Sequence, residues 1–192
     1  VIEILNIIVR LGRAGRENTP ILTFLGCCQR EHYMKMKLQR AFVALSLVIG
    51  MACSKDSGIS EPIPEARNVT AVEIQLLELV NDHRKSLGQP PLSFSQVAYS
   101  YASDHTDYMI AKGSINHDNF NIRASGIASE VNARAVSENV AKDYESAQKA
   151  LQGWLASESH RNTMEGEFSH TAISVKENAE GTLFYTQLFY LE

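Results

Sequence analysis

The sequence is poor in cysteine. Of its 192 residues only three are cysteines, Cys27, Cys28 and Cys53, and none follows position 53. A disulfide framework in the remainder of the chain is therefore excluded, and so is a cysteine nucleophile there. Two common hydrolase motifs are missing as well, since neither H-E-x-x-H nor G-x-S-x-G occurs. Their absence removes the common zinc-protease helix and the serine-hydrolase nucleophile elbow.

Basic residues are scarce in the larger part of the chain. From Cys53 onward, 11 lysines and arginines stand against 19 aspartates and glutamates, a balance of −8. The residues before Cys53 show the opposite bias, with seven basic and three acidic residues. A body this acidic repels a phosphate backbone, so we expect no nucleic-acid partner.

A hydrophobic run of membrane-spanning length is also missing. The apolar stretch 41–51 has 11 residues, whereas a bilayer-spanning helix needs about 20. Lys35, Lys37 and Arg40 precede this stretch. A basic segment followed by an apolar run of this length is typical of a secretory signal. We therefore predict a signal peptide over residues 34–52.

The cysteine at the end of this segment has a specific interpretation. The segment resembles a bacterial lipoprotein signal, in which Cys53 becomes the lipidated first residue of the mature chain. Ala52 fits that pattern, whereas Gly50 stands where such signals usually carry leucine. The alternative is a plain secretory signal with an incidental cysteine. In both cases we expect export, and with the lipid we expect membrane anchoring at the cell envelope or surface, periplasmic or extracellular.

The chain then divides into four parts. Because a secretory signal normally begins a protein, we predict that translation starts at Met34 or Met36 and that residues 1–33 are a gene-model extension. The alternative is a real additional segment. Residues 53–69 lack periodicity and contain proline and glycine, which predicts a tether. Residues 70–192 are predicted to form the globular domain.

Helical periodicity marks three helices within this domain. Thr70 is predicted to cap the first helix, with Glu73 completing a capping box. The second helix is predicted to begin at Ser95 and to close at Gly113. The third is predicted to begin at Ser146.

The rest of the domain is predicted to form a loop and a sheet. Residues 114–143 show no sustained period, which predicts a long irregular loop. The stretches "HTAISV" and "TLFYTQLFYL" are prone to form strands, and the polar "KENAEG" between them predicts a hairpin. Three helices followed by a hairpin predict an α+β fold with helices packed on an antiparallel sheet.

Several stretches together resemble one family. They are, in order, "LLELVNDHRKSLGQPPLSFS", "INHDNF", "SENVA", "WLASESHRN", "FSHTAISV" and "LFYTQLFY". Over about residues 70–192 they resemble the CAP superfamily of cysteine-rich secretory proteins, antigen 5 and pathogenesis-related class 1 proteins (SCP-like extracellular domains). The bacterial, cysteine-free branch fits best. The resemblance implies a three-layer α-β-α sandwich with a central antiparallel sheet.

The resemblance also implies a site. Many members bring two histidines and two glutamates into one cavity, sometimes around a divalent metal. By motif, His117, Glu138 and His170 match three of these groups. Ser157 occupies the position of the second glutamate, and Glu158 follows one residue later, rotated by about 100° on a helix. Two histidines and one carboxylate could hold Zn²⁺ or another divalent metal with one position open for water. The alternative is a metal-free polar cavity.

Other polar residues are assigned supporting or structural roles. Asn139 and His160, with Ser157 and Glu158, are taken as supporting residues beside the cavity. Asn139 is expected to fix a turn, and His160 to bond the last carbonyls of the third helix. His105 is expected to be a core histidine with one hydrogen bond.

Three functions are compatible with these features. The first is a binding module at the cell envelope that holds an extracellular ligand, which could be a peptide, glycan, lipid or metal ion. The second is a metal-dependent hydrolase of peptide or cell-envelope substrates. The third is a structural or adhesive role. The missing second carboxylate argues against the hydrolase, because no spare base remains once Glu138 is a metal ligand.

Overall fold

The computed structural model describes residues 5–10 as a strand and residues 66–192 in full. The contact pattern divides the chain into one unit of residues 1–14 and 62–192 and a second of residues 15–61. Every described residue belongs to the first unit. The predicted signal peptide, Cys53 and the tether before residue 66 lie outside the described residues, as do residues 1–33 apart from 5–10.

The described residues form five helices and six strands. The helices are α1 (Thr70–Ser86), α2 (Gln96–Lys112), α3 (Phe120–Val131), α4 (Ala147–Ala156) and α5 (Glu158–Met164). The strands are β1 (Leu5–Arg10), β2 (Arg67–Asn68), β3 (Ser93–Phe94), β4 (Ala135–Lys142), β5 (His170–Glu177) and β6 (Leu183–Leu191). None of these helices is long and apolar enough to cross a membrane.

The strands form one sheet in the order β1-β4-β6-β5-β2, with every neighbouring pair antiparallel. The short strand β3 adds to β5 in parallel. The β5–β6 hairpin predicted from the sequence is confirmed. Strand β2 lies at the end of the stretch predicted to be a tether, so the folded unit includes Arg67 and Asn68.

Two apolar clusters cover opposite faces of the sheet and make it the middle of three layers. Successive side chains of a strand point to opposite faces, and neighbouring residues of β5 show this directly. Ile173 packs with Leu76 of α1 and Trp154 of α4. Ala172 packs with Ala102 of α2 and Ile127 of α3. The α-β-α sandwich expected from the resemblance is therefore confirmed.

Three helix ends follow the sequence signals. The Ser95 hydroxyl accepts a hydrogen bond from the amide of Ala98 at 3.2 Å, and the Ser146 hydroxyl accepts one from Lys149 at 3.3 Å. Both are N-caps that satisfy an amide of the first turn. Gly113 ends α2 with a φ of 70°, a left-handed conformation that suits glycine.

The capping box predicted for α1 is wrong. The helix begins at Thr70, with Val69 as its N-cap and no side-chain cap. Glu73 turns instead toward the sheet and is only 7% exposed. Its carboxylate accepts hydrogen bonds from the amide of Val175 at 2.9 Å and from the hydroxyl of Tyr99 at 3.2 Å. The carboxylate of Glu73 therefore pairs with an amide at the edge of the sheet and does not cap the helix.

The long loop predicted over residues 114–143 is also wrong, because this stretch contains α3 and β4. Asn119 and Asn132 stand at the two ends of α3 in left-handed conformations, and the Asn119 side chain makes no cap hydrogen bond. The interior of β4 is buried on both faces, so its polar residues do not alternate with apolar ones. Periodicity alone could not reveal β4.

Candidate functional site

A buried ion pair lies between β4 and the α2/α3 layer. The side chain of Glu138 is fully buried. Arg123, from α3, donates from Nε to its Oε2 at 2.9 Å and from Nη2 to its Oε1 at 2.8 Å. His117 Nδ1 lies 2.6 Å from Oε1. His105, from α2, places Nε2 3.7 Å from the same oxygen. We call these four residues the His–Glu–Arg network.

The loop between α2 and α3 is folded onto this network. Arg123 also donates from Nη1 to the carbonyl of Asp118 at 2.6 Å. The amide of Asp118 donates to the side-chain oxygen of Asn116 at 2.9 Å. His105 Nε2 lies 2.8 Å from the carbonyl of Asn116. Because a carbonyl only accepts, the proton of the neutral His105 ring is on Nε2.

Burial and charge set the protonation of the network. Burial acts to raise the pKa of Glu138, but the hydrogen bonds from His117 and Arg123 and the charge of Arg123 outweigh it and hold that pKa below its usual value. Burial lowers the pKa of His105, and the nearby charge of Glu138 offsets this only in part. The network at neutral pH therefore contains an ionised carboxylate, a guanidinium and a neutral His105.

One ring nitrogen of the network has no partner in the described part of the chain. His117 directs Nδ1 at the carboxylate, and its side chain is 2% exposed. Its Nε2 is buried and has no hydrogen-bond partner among the described residues. A buried nitrogen of this kind can hold a water molecule or a polar group of a ligand.

His170 does not join this network. It begins β5, and β6 separates β5 from the strand that carries Glu138. Its ring stacks on Tyr190 with the centroids 4.7 Å apart, and its Nδ1 lies 2.9 Å from the hydroxyl of Ser169 and 4.0 Å from a carboxylate oxygen of Glu192. Of the three residues predicted to form one site, the structure brings only His117 and Glu138 into contact.

The predicted supporting residues lie on the other side of the sheet. Asn139 is not in a turn but in β4, where it points away from the face of Glu138 and donates to the carbonyl of His160 at 3.3 Å. His160 lies inside α5, fully buried, with Nδ1 2.8 Å from the hydroxyl of Ser157. Its predicted role at the end of the third helix is therefore wrong. Glu158 is exposed at the start of α5.

The residues present do not fit a divalent metal. A guanidinium already occupies both oxygens of Glu138, and the second predicted histidine, His170, lies elsewhere. Within the described ranges 5–10 and 66–192, no group of three or more histidine, cysteine, aspartate or glutamate side chains is placed to hold a metal ion. The cation that neutralises Glu138 is supplied by the protein itself.

Two members of the network were missed as site residues. Arg123 lies in the stretch taken for a loop, although it follows Phe120 by three residues and precedes Ile127 by four. That spacing places an arginine among core positions of a helix, which is the signal that could have identified it. His105 was expected to be a core histidine with one hydrogen bond. That expectation is confirmed, but its position beside Glu138 was not foreseen.

Solved structures with the same fold indicate the class of protein to which the chain is similar. An extracellular protein of Bacillus anthracis that contains an SCP domain superposes with a TM-score of 0.56 at 26% identity, over 64% of this chain and 41% of that one. An outer surface protein of Borrelia burgdorferi has a TM-score of 0.61 at 15% identity, over 67% of this chain and 98% of that one. A cysteine-rich secretory protein of Staphylococcus aureus has a TM-score of 0.56 at 18% identity, over 64% and 39%. The protein therefore has the SCP-like fold.

Sequence comparison identifies the family. The family model of the cysteine-rich secretory (CAP) proteins matches residues 77–189, more than half of the chain. The chain belongs to this family, as the sequence motifs indicated. It spans about two fifths of the length of the Bacillus and Staphylococcus proteins. A comparison with curated proteins returned no match.

Proposed function

We propose that the protein is an exported binding module, held at the cell envelope by a lipid on Cys53. The relatives support export, since they are described as an outer surface protein, an extracellular protein and a secretory protein. The lipoprotein-like signal before Cys53 supports the anchor. A domain tethered in this way is suited to holding a ligand such as a peptide, glycan or lipid.

The observation that carries this proposal is the bidentate ion pair between Arg123 and Glu138. A general base must reach a substrate proton, and a metal-activated water needs an open position on a bound metal. Glu138 is buried, and both of its oxygens accept hydrogen bonds from Arg123. Because Glu138 is available neither as a general base nor as a metal ligand, the network favours a ligand-binding function over hydrolysis.

A zinc titration separates this proposal from the metal-dependent hydrolase. The protein carrying Cys53→Ser is titrated with Zn²⁺ by calorimetry, beside the same protein with His117→Ala or Glu138→Gln. We expect no one-to-one binding at micromolar affinity in any of the three, because Arg123 already neutralises the carboxylate. Micromolar or tighter one-to-one binding that both substitutions abolish would contradict the proposal and favour the hydrolase.

A second experiment tests the anchor. The chain is expressed in a Gram-negative host that is fed an alkyne-labelled fatty acid, and the label is followed in the membrane fraction. We expect the label and membrane association with cysteine at position 53. Cys53→Ser is expected to lose both and to release the protein into the soluble exported fraction. Equal membrane association of the two proteins, without label, would refute lipidation of Cys53.

A further inference from the structure

A cleft lies between α1 and the start of α2, at the β5 edge of the sheet. Its volume is about 440 Å³, which falls within the range of roughly 300–1,000 Å³ typical of ligand pockets. Thr70 and Ile74 lie on one wall, Phe94 and Tyr99 on the other, and Ile173 lines the floor. None of the described residues that line the cleft belongs to the His–Glu–Arg network.

The floor of the cleft is a gap in the edge of the sheet. Strand β2 pairs with β5 only at Lys176 and Glu177. Strand β3 pairs with β5 only at His170 and Thr171. No described strand covers the residues between these two pairings, and Ile173 lies at the middle of the gap.

The peptide groups of Ile173 point out of this gap. The carbonyl of Thr171 accepts from the amide of Ser95 at 3.0 Å, and the carbonyl of Val175 accepts from the amide of Val69 at 2.8 Å. Both carbonyls therefore face away from β6. Because the backbone groups of a strand alternate in direction, the N–H and C=O of Ile173 face the same way. Neither has a hydrogen-bond partner among residues 66–192.

The protein closes the neighbouring edge position with a side chain. The carboxylate of Glu73 accepts from the amide of Val175 at 2.9 Å, where a further strand would otherwise supply a carbonyl. The hydroxyl of Tyr99 donates to the same carboxylate. The edge is therefore satisfied beside the gap, and among the described residues of β5 that face this edge only Ile173 keeps an unpaired N–H and C=O; the residue is 3% exposed, at the bottom of the cleft. An open edge of this kind is a template for pairing with another extended chain.

The walls of the cleft indicate the side chains that such a chain would carry. Ile74 is 56% exposed and Phe94 is 52% exposed, which is unusual for large apolar residues of this domain. Both are suited to cover an apolar side chain. Of the described residues that line the cleft, Glu73 and Glu78 are the charged ones. With Glu73 engaged by the sheet edge, Glu78 favours a cationic neighbour.

We propose that this cleft binds an extended peptide. The peptide main chain pairs with the N–H and C=O of Ile173, an apolar side chain packs between Ile74 and Phe94, and an adjacent lysine or arginine lies near Glu78. This inference rests on the proposed binding function, names its ligand class and assigns it a site apart from the His–Glu–Arg network.

Peptides of defined sequence test the backbone pairing. The probe is a set of acetylated, amidated and fluorescently labelled hexapeptides, Thr-Thr-X-Lys-Thr-Thr, in which X is varied, measured by polarisation with the Cys53→Ser protein. We expect leucine or phenylalanine at X to bind and aspartate not to bind. Methylation of one backbone nitrogen at a time removes one donor, and at one position it should weaken binding about tenfold. Equal binding of every N-methylated peptide would overturn the proposal.

Matched variants locate the site. Ile74→Asp and Phe94→Ser should each weaken binding of the leucine peptide at least about tenfold, since both side chains lie on the rim and leave the core intact. Ile122→Asp is the control, because Ile122 is 70% exposed on α3, away from the cleft, and binding should not change. If Ile74→Asp and Phe94→Ser both bind the peptide with wild-type affinity, the peptide does not bind in this cleft and the proposal is wrong.

The same peptides distinguish the two proposals. Each peptide is recovered after incubation and its mass measured. If no peptide binds and none is cleaved, the cleft inference fails while the binding function can still stand for other ligands. If peptides are cleaved, the binding-module proposal itself fails.

Discussion

Arg123→Met is expected to lower the free energy of unfolding by about 3–5 kcal/mol, the usual cost of removing one partner of a buried ion pair. Glu138 is fully buried, and without the guanidinium it would keep only the hydrogen bond from His117. Urea denaturation at pH 7, followed by tryptophan fluorescence, measures this change, since the single tryptophan, Trp154, is buried in the core.

Two further variants define the cause of that loss. Arg134→Met removes an exposed arginine and should change the unfolding free energy by less than about 0.5 kcal/mol. The double variant Arg123→Met/Glu138→Leu removes both charges and should recover most of the loss, because apolar residues often replace a buried pair without cost. A loss below about 1 kcal/mol in Arg123→Met would show that the ion pair contributes little.

The pH dependence provides an independent check. The folded pKa of Glu138 is lowered, so the stability that it contributes is fully present above the ordinary glutamate value of about 4.3 and is lost as the pH falls through the folded pKa. In Arg123→Met the carboxyl is expected to protonate more readily. The difference between wild type and Arg123→Met should therefore narrow on acidification, and a difference that stays constant down to pH 3 would contradict this account.

Arg84→Met is expected to lower the free energy of unfolding by about 3 kcal/mol, because four carbonyls, two of them in buried and two in part-buried hydrogen bonds, lose a donor. Arg84 is 1% exposed, and within the described part of the chain its guanidinium bonds to carbonyl groups rather than to a carboxylate. It donates instead to the carbonyls of Pro90 at 3.0 Å, Met164 at 2.6 Å, Gly166 at 2.9 Å and Phe168 at 3.5 Å. The side chain thus joins the end of α1 to the segment that follows α5.

Neighbouring and conservative changes are the controls for this prediction. Lys85→Met removes an exposed cation one residue away, with its side chain 59% exposed, and should leave stability within about 0.5 kcal/mol of wild type. Arg84→Lys should rescue little, because an ammonium cannot reproduce the planar fork of a guanidinium. Thermal unfolding gives the order of the variants. An Arg84→Lys protein as stable as wild type would show that charge alone suffices.

Much of the fold could be predicted because its signals are local. A serine before each of two helices, a glycine after one and a polar stretch between two β-prone runs specify caps and a hairpin through contacts between near neighbours. Helix α3 was missed because an arginine, Arg123, occupies a buried position between Phe120 and Ile127 and interrupts the apolar pattern. Strand β4 could not be predicted because its polar residues are buried between two helical layers. This burial depends on tertiary packing, which the periodicity of the sequence does not show.

The site could be predicted only in part, because some of its residues lie in elements that were not recognised in the sequence. The resemblance correctly paired His117 with Glu138. It could not indicate that Arg123 would occupy the carboxylate, because that residue lies on a helix not recognised in the sequence. Ser157 and Glu158 were grouped with the cavity because Ser157 stands at the position of the family's second glutamate, and Asn139 was assigned to a turn beside Glu138. In a strand, however, adjacent residues face opposite ways, and the structure separates them accordingly.

This opposition of Glu138 and Asn139 also has a consequence for how β4 can pair with its neighbours. A slip of one residue along the sheet would turn Asn139 toward Arg123 and press the carboxylate of Glu138 against α5, where the carbonyl of His160 now accepts a hydrogen bond. An ionised group would then be buried against an acceptor, and a guanidinium would lose its anion. Misaligned pairing of this strand is thus penalised on both faces at once, so β4 has only one register that satisfies its polar groups.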